Sequence, residues 1–276
     1  MNTKQHSLQR AGNSSSNRLG IGIDYGTSNS AAAIFDGTHV TVVNLEPHAK
    51  VMPSATYINR EYQIVTGQAA IDEYVSSNTG RTVELSAEIL GEGRTTTGQT
   101  GDHGLPEEAS TSLIYGQSLV DGGQQGRLFR GIKRLLGNNE SQRLMVFDKP
   151  FRLVALITPL LIRIRRTIEA QLPLGINPTP VIDHACIGHP VNFEGSQNDR
   201  NRAALSALSE SYGYAEFNRQ SFYPEPNAAA LSYLYANPQL QTKTLLAVDF
   251  GGGTLDLCVI KHTNEDFEVV ATHGIG

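Results

Sequence analysis

Two stretches of the sequence place an aspartate at the end of an apolar run, with a turn of small residues directly after it. The first is IGIDYGTSNSAAAIF (21–35) and the second is LAVDFGGGTLDLCVI (246–260). In both, an aromatic residue and a glycine follow the aspartate, Asp24 or Asp249, and a second apolar run follows the turn. A strand–turn–strand pattern repeated this far apart predicts two similar lobes that each contribute one loop.

Glycine-rich turns with hydroxyl side chains are suited to holding phosphate. Backbone N–H groups in such turns can approach a ligand closely and attract phosphate oxygens, and Thr27, Ser28 and Thr254 would add hydroxyl donors. Asp24 and Asp249 would repel phosphate unless a hydrated Mg²⁺ lay between them and the phosphates. The two loops therefore predict a clamp for Mg²⁺ and a nucleoside triphosphate, against the alternative of two ordinary tight hairpins.

Other phosphate and metal motifs do not occur in the sequence. Gly20 and Gly22 do not begin a G-x-G-x-x-G fingerprint because position 25 is tyrosine, and no G-x-x-x-x-G-K-[ST] is present. The eight histidines show no spacing typical of a metal site. A net charge of −5 argues against a protein that coats nucleic acid or an acidic membrane. No apolar run reaches the ~18 residues that a membrane-spanning helix needs.

The two cysteines and the N-terminal residues indicate in which cellular compartment the protein is found. Cys186 and Cys258 are the two cysteines, and both lie in apolar, strand-like runs, which is typical of a reducing compartment and predicts a cytoplasmic protein. Residues 1–18 are polar and lack the apolar segment of a secretory signal, so they are predicted to form a disordered tail.

The hydrophobic pattern predicts an α/β protein in which clusters of strands are separated by helices. A Gly-, Ser- and Thr-rich stretch over 76–110 is predicted to be in part a surface insertion. Three arginines near the end of the first long helix are predicted to form a solvated face: Arg163, Arg165 and Arg166. Pro159 is predicted either to kink that helix or to start its main part. The predicted strands are 19–26, 30–37, 38–44, 54–58, 62–67, 180–188, 218–223, 244–251, 254–261 and 267–274, and the predicted helices are 151–172, 196–213 and 225–236.

Four motifs in order give the chain a resemblance to a known family. They are GIDYGTSNS (22–30), KRLLG (133–137), YPEPNAAALSY (223–233) and VDFGGGTLDL (248–257). The chain resembles the nucleotide-binding domain of the seventy-kilodalton heat-shock (DnaK-type) chaperones, within the actin-like ATPase superfamily. The wording IG-x-PVNF and EPNAAALSY is most similar to the YegD-like branch. The resemblance implies a ribonuclease-H-like α/β fold, with ATP or ADP and Mg²⁺ as cofactors.

The resemblance also implies a role for each site residue. The metal, held through water, would lie on Asp24 and Asp249, and Lys133 would be the catalytic lysine that stabilises charge on the γ-phosphate. Glu225 would reach a bound water and signal across the lobes, and Asp256 would position that water or accept its proton. The residues that would bind the phosphates are Gly26, Thr27, Ser28, Asn29, Gly251, Gly252, Gly253 and Thr254.

Several alternatives remain open from the sequence. Lys133 could be a surface charge, Glu225 a carboxylate that simply favours a helix N-terminus, and Asp256 a solvent-facing strand residue. At the level of function, a sugar or small-molecule kinase and an actin-like filament protein of the same superfamily are the two alternatives to a chaperone ATPase.

The resemblance divides the chain into three parts. These are a tail at 1–18, lobe I at 19–243 with an insertion or subdomain at about 50–147, and a truncated start of lobe II at 244–276. It implies a fragment without the adenosine-binding segment or the substrate-binding domain. Client polypeptides would then bind through the missing C-terminal domain, with co-chaperones as further partners and neither nucleic acid nor membrane involved.

Overall fold

The computed structural model describes residues 19–95, 110–137, 143–172, 182–193, 198–240, 242–252, 254–263 and 266–275. One compact unit is Val75–Gly126, and the other contains the remainder of the chain. The strands are β1 (Gly20–Tyr25), β2 (Asn29–Phe35), β3 (Val40–Val42), β4 (Met52–Pro53), β5 (Ala55–Asn59), β6 (Ile64–Thr66), β7 (Leu85–Thr95), β8 (Ser110–Asp121), β9 (Gly126–Arg130), β10 (Arg143–Val146), β11 (Lys149–Arg152), β12 (His184–His189), β13 (Arg219–Pro224), β14 (Thr242–Phe250), β15 (Leu255–Thr263) and β16 (Asp266–Ile275). The helices are α1 (Gln68–Asn78), α2 (Leu153–Ala170), α3 (Asn198–Tyr214) and α4 (Glu225–Ala236), with a 3-10 helix at Ile132–Gly137.

A mixed sheet in the order β13-β12-β1-β2-β3, with β4 paired to β2, forms the first layer, and we call it the first sheet. Strands β1, β12 and β13 are parallel, whereas β2 is antiparallel to β1 and β3 is antiparallel to β2. The carboxyl ends of the three parallel strands therefore meet at one edge, which is where ligands bind in open α/β sheets. The predicted α/β class is confirmed.

The main core lies between this sheet and α2. Alternate residues of β1 point into it, namely Ile21, Ile23 and Tyr25. Helix α2 buries an apolar stripe at helical spacing: Leu153, Val154, Leu156, Ile157, Leu160, Leu161, Ile164 and Ile168. Burying each such side chain contributes about 1.5–3 kcal/mol, so α2 is the main hydrophobic support of the sheet.

Two predictions on α2 need correction. The helix runs from Leu153 through Pro159, so the alternative in which its main part starts at Pro159 is wrong. Arg163 and Arg165 do not form a solvated face. The first donates to the carbonyl of Thr66 and pairs with Glu46 at 2.6 Å.

Arg165 pairs with Glu169 at 3.1 Å and with Glu216. Only Arg166, which is exposed, fits the predicted solvated face. Glu46 and Glu216 come from distant parts of the chain, so helical periodicity could not reveal these ion pairs.

An antiparallel sheet in the order β14-β15-β16 forms a second layer, and we call it the second sheet. Helix α4 packs on one of its faces, where Ala230 contacts the cluster of Cys258 and Ile260. In this hairpin Asp249 lies directly opposite Asp256. Helix α4 begins where β13 of the first sheet ends, so this one helix connects the two layers.

The remaining elements form smaller structures. Strands β6, β5 and β9 make a three-stranded sheet, and β10 and β11 make a hairpin. Within the Val75–Gly126 unit, β7 and β8 pair as an antiparallel ribbon. There the Arg81 guanidinium bonds Asp121 and holds the pKa of that carboxyl at about 2.

Some predictions are not tested by the described residues. The predicted tail at 1–18 lies outside them, and so does 96–109 of the predicted insertion. The boundaries of lobes I and II stay a prediction. Among the described helices, none is long and apolar enough to cross a membrane.

Candidate phosphate-binding site

The first glycine loop joins β1 to β2 and is held tightly by its neighbours. A Cβ on Gly26 would overlap the carbonyl oxygen of Asn29, so only glycine fits this turn. The carbonyl of Ser28 accepts a hydrogen bond of 2.9 Å from the backbone N–H of Ser54. Two residues further on, the hydroxyls of Ser30 and Ser54 share a buried hydrogen bond of 2.8 Å. The loop backbone is thus tied to the segment between β4 and β5.

The second glycine loop joins β14 to β15. The N–H of Gly251 donates to the carbonyl of Thr254 at 3.0 Å, which closes the turn. Gly252 lies against the first loop, because a Cβ built on it would stand 3.0 Å from the hydroxyl of Ser28 and 3.4 Å from Cβ of Thr27. Predicted Gly253 lies outside the described residues. The two loops, far apart in sequence, therefore face each other at close range.

A cleft of about 200 Å³ opens between the two loops. The predicted site residues that line it are Asp24, Gly26, Thr27, Ser28, Asn29, Lys133, Glu225, Asp249, Gly251, Gly252 and Thr254. The structure thus brings together groups from β1, the 3-10 helix, α4 and the second sheet. Arg134, Pro190 and Phe193 also line the cleft and were not predicted. Their sequence signal was that Arg134 lies within the KRLLG motif and that Pro190 and Phe193 lie within the PVNF motif.

Lys133 and Glu225 form an ion pair at the floor of the cleft. Lys133 is only 5% exposed, and its ammonium donates to Oε1 of Glu225. The surface-charge alternative for Lys133 is therefore wrong. Glu225 is the first residue of α4, so the helix-dipole explanation holds for it together with the ion pair.

Comparison with known proteins places the chain in a family. A family model described as "Hsp70 protein" matches residues 135–275, just over half of the chain. The chain belongs to the Hsp70 family. Membership implies the actin-like ATPase fold, in agreement with the mixed first sheet. The match includes the second loop, Glu225 and Asp256, whereas the first loop and Lys133 precede it.

Curated relatives extend the similarity to nearly the whole chain. Mitochondrial heat shock 70 kDa proteins are 26% identical over 254 residues in Dictyostelium discoideum, 26% over 255 in Solanum tuberosum and 27% over 255 in Pisum sativum. Each alignment covers 92% of this chain but only 32%, 31% and 32% of the respective relative. The chain thus spans about a third of the length of these Hsp70 proteins.

Burial and charge shift the ionisation of the cleft carboxyls in this Hsp70 chain. The pKa of Asp24 is raised chiefly by burial, the ammonium of Lys133 opposes that rise, and Asp249 adds to it. Burial also raises the pKa of Glu225, and Lys133 again acts in the opposite direction. Three carboxylates, those of Asp24, Glu225 and Asp249, thus line one cleft together with Lys133 and Arg134, and Lys133 is ion-paired with Glu225. A bound cation would stabilise the charged forms of Asp24 and Asp249.

The donor set fits a hydrated Mg²⁺. Among the described residues, no group of three or more His, Cys, Asp or Glu side chains could hold a metal ion. Mg²⁺ commonly keeps several waters and binds through one or two carboxylates together with substrate phosphates. Asp24 and Asp249, on opposite sides of the cleft, could supply those two carboxylates, with the hydroxyls of Thr27 and Thr254 nearby.

Asp256 is the one described site residue that does not line the cleft. It is fully buried, so the alternative of a solvent-facing strand residue is wrong. Its Oδ1 accepts a hydrogen bond of 2.9 Å from the backbone N–H of Val191, and its Oδ2 is buried with no hydrogen-bond partner. Its role in positioning the attacking water stays a prediction.

Proposed function

We propose that this chain binds the phosphates of Mg²⁺–ATP between its two glycine loops, as part of a DnaK-type chaperone ATPase. The observation that carries the proposal is the contact between the loops: Gly252 stands against Ser28 and Thr27, with Asp24 and Asp249 in the same cleft. A cleft lined by loop backbone, in which Asp24 and Asp249 lie beside the Lys133–Glu225 ion pair, suits a polyphosphate bridged by Mg²⁺.

The chain's own residues would divide the work of hydrolysis. Mg²⁺, when bound, would neutralise phosphate charge. The ammonium of Lys133, held in place by Glu225, would lie beside the γ-phosphate and stabilise the charge that develops during hydrolysis. Because this ion pair is already formed, little reorganisation would be needed as the reaction proceeds. The hydroxyls of Thr27 and Thr254 and the N–H groups of both loops would orient the phosphate oxygens.

The small cleft supports a specific expectation about the ligand. Pockets that bury a whole small ligand usually measure about 300–1,000 Å³, whereas this one measures about 200 Å³. It therefore suits the triphosphate rather than the complete nucleotide. We expect Mg²⁺–tripolyphosphate to compete with Mg²⁺–ATP for this chain.

We also propose the partners, the branch of the family and the cellular location of the whole protein. Action on client polypeptides, with co-chaperones as partners, is proposed for the whole protein from its family. Membership of the YegD-like branch is proposed from IG-x-PVNF (187–193) and EPNAAALSY (225–233). A cytoplasmic location is proposed because Cys186 and Cys258 are both free, and cell fractionation would test it. Family membership favours the chaperone over the sugar-kinase and filament alternatives.

The test is calorimetric titration of the chain with ATP, with and without Mg²⁺. We expect binding that requires Mg²⁺, and we expect Asp249→Asn to weaken it at least about tenfold because a metal-directed carboxylate is lost. The matched control is Glu268→Gln, which neutralises an exposed acid on the same sheet. ATP affinity that is the same with and without Mg²⁺, and the same in Asp249→Asn as in the parent, would refute the proposed site.

A further inference from the structure

A continuous hydrogen-bonded chain connects α3 and the segment 190–193 to β16 of the second sheet. Asn192 donates through Nδ2 to the carbonyl of Gly274 in β16 at 3.1 Å. Its Oδ1 accepts from Nδ2 of Asn201 in α3 at 2.7 Å. The Oδ1 of Asn201 then accepts from the backbone N–H of Phe193 at 2.8 Å. Three hydrogen bonds thus join β16, the segment 190–193 and α3.

The two ends of this chain dictate the orientation of both amides. The Gly274 end is a carbonyl, which can only accept, and the Phe193 end is an N–H, which can only donate. Asn192 must therefore turn its NH₂ towards Gly274, and Asn201 must turn its NH₂ towards Asn192. Only a pair of side chains that each donate on one side and accept on the other can complete the connection.

The same junction is closely packed. A Cβ on Gly274 would stand 2.6 Å from Oδ1 of Asp256, 2.9 Å from Cβ of Val191 and 3.0 Å from the backbone nitrogen of Asn192. Asp256 adds its own hydrogen bond to the N–H of Val191 at 2.9 Å. Two strands of the second sheet, the central β15 and the edge strand β16, therefore contact the segment 190–193 directly.

This segment also forms part of the cleft wall. Pro190 and Phe193, which flank the bonded residues Val191 and Asn192, both line the cleft. The second sheet carries Gly251 and Gly252, which line the same cleft. If β16 moves relative to the segment 190–193, the distances between groups that face the cleft therefore change.

We propose that Asn192 and Asn201 act as a directional amide latch that sets the distance between the two sheets and thereby the width of the phosphate cleft. They are positioning residues that act through Pro190, Phe193 and the second glycine loop. The consequence for nucleotide affinity rests on the proposed function, whereas the consequence for the spacing of the sheets does not.

Isosteric variants isolate the latch. Asn192→Asp places a carboxylate oxygen against the carbonyl of Gly274, and Asn201→Asp places one against Oδ1 of Asn192. In Asn201→Asp, rotating the amide of Asn192 moves the acceptor–acceptor contact to the carbonyl of Gly274 without removing it. In Asn192→Asp, no rotation of Asn201 relieves the contact with that carbonyl. The control is Asn218→Asp, the same change at an exposed asparagine.

The first measurement is amide hydrogen exchange by mass spectrometry, without nucleotide. We expect exchange in 184–193 and 266–275 to quicken at least about tenfold in each latch variant but not in the control. We expect the double variant to exceed the stronger single variant only slightly, because both changes break one connected chain. Unchanged exchange, or fully additive effects, would overturn the latch.

The second measurement is the distance between spin labels on the two layers, again without nucleotide. Exposed Thr41 on β3 of the first sheet and exposed Lys261 on β15 of the second sheet would be changed to cysteine in a background in which Cys186 and Cys258 are alanine. We expect a longer and broader distance distribution in Asn192→Asp than in its parent. Faster exchange with an unchanged distance would overturn the claim that the latch sets the spacing.

A third measurement separates this inference from the proposed function. If the parent chain binds Mg²⁺–ADP, we expect Asn192→Asp to weaken that binding about tenfold, and equal affinities would overturn the coupling to the cleft. If the parent binds no nucleotide, the proposed function fails. In that case, the exchange and distance measurements still decide whether the latch exists.

Discussion

The two glycine hairpins resemble each other in sequence, but they stand on very different supports. The first extends from β1, whose Ile21, Ile23 and Tyr25 are buried beneath α2. The second extends from β14, where Leu246, Val248 and Phe250 are 63%, 59% and 84% exposed. Helix α4 covers only one face of that second sheet. The first loop is therefore positioned by a complete core, and the second mainly by its contacts across the cleft.

Because of this difference, we expect the first sheet's layer to hold the site together and the second sheet to close it. The first sheet's layer supplies the tightly bonded loop and Lys133, and the second sheet supplies a loop that must be brought to it. We therefore expect substitutions around the first loop to change stability. Substitutions around the second loop are expected to change the cleft more than the fold.

The largest expected contrast in stability is between the buried core of the first sheet and the open face of the second sheet. Ile187→Ala in β12 removes a fully buried side chain and should lower the free energy of unfolding by about 2–5 kcal/mol. Val248→Ala on the open face of β14 should change it by less than about 0.5 kcal/mol. Urea denaturation followed by circular dichroism measures both. A large loss for Val248→Ala would show that another surface covers this face in solution.

The next prediction concerns chemistry on the first side of the cleft. In the whole protein, Lys133→Ala should leave ATP binding largely intact but lower turnover by about a hundredfold or more, because the charge that stabilises the transition state is lost. Single-turnover hydrolysis separates this step from binding, and Lys261→Ala on an exposed strand is the control. Unchanged turnover would remove Lys133 from the mechanism.

A smaller contrast compares the two turns themselves. Gly26→Ala pushes a methyl group against the backbone oxygen of Asn29 and should cost roughly 2 kcal/mol of stability. Gly252→Ala meets the hydroxyl of Ser28 at 3.0 Å, and that side chain can rotate away. Its effect on thermal unfolding should be slight, while Mg²⁺–ATP affinity falls. Equal losses of stability would contradict the asymmetry between the two loops.

The smallest expected effect depends on pH. Burial raises the pKa of Asp24 in the folded protein, so the folded state favours the protonated carboxyl. The wild type therefore loses stability as pH rises from the ordinary aspartate value towards the raised folded value. Asp24→Asn should be more stable than wild type at pH 7, but only slightly, because Asp24 is exposed at the cleft and solvent screens its charge. Denaturation midpoints at pH 3 and pH 7 should show this gain shrinking at the lower pH.

Local sequence patterns predicted the hairpins well because their chemistry is local. Aspartate, glycine and threonine at a strand end specify a tight turn that exposes backbone N–H groups, and the structure has both turns where they were expected. The predicted role of Arg163 failed because its partner Glu46 comes from a distant loop. Pro190 and Phe193 were missed because nothing in their own types indicates a cleft wall.

By itself, the sequence determined the α/β class, the two loops and most of the residues that line the cleft, since each follows from a short pattern or a family motif. Only the tertiary structure decided that Lys133 is buried against Glu225 and that Asp256 bonds Val191 instead of facing the cleft or solvent. It also decided that Asn192 and Asn201 join two sheets. These contacts connect residues far apart in the chain, and side-chain pairing at such separations depends on how the layers pack.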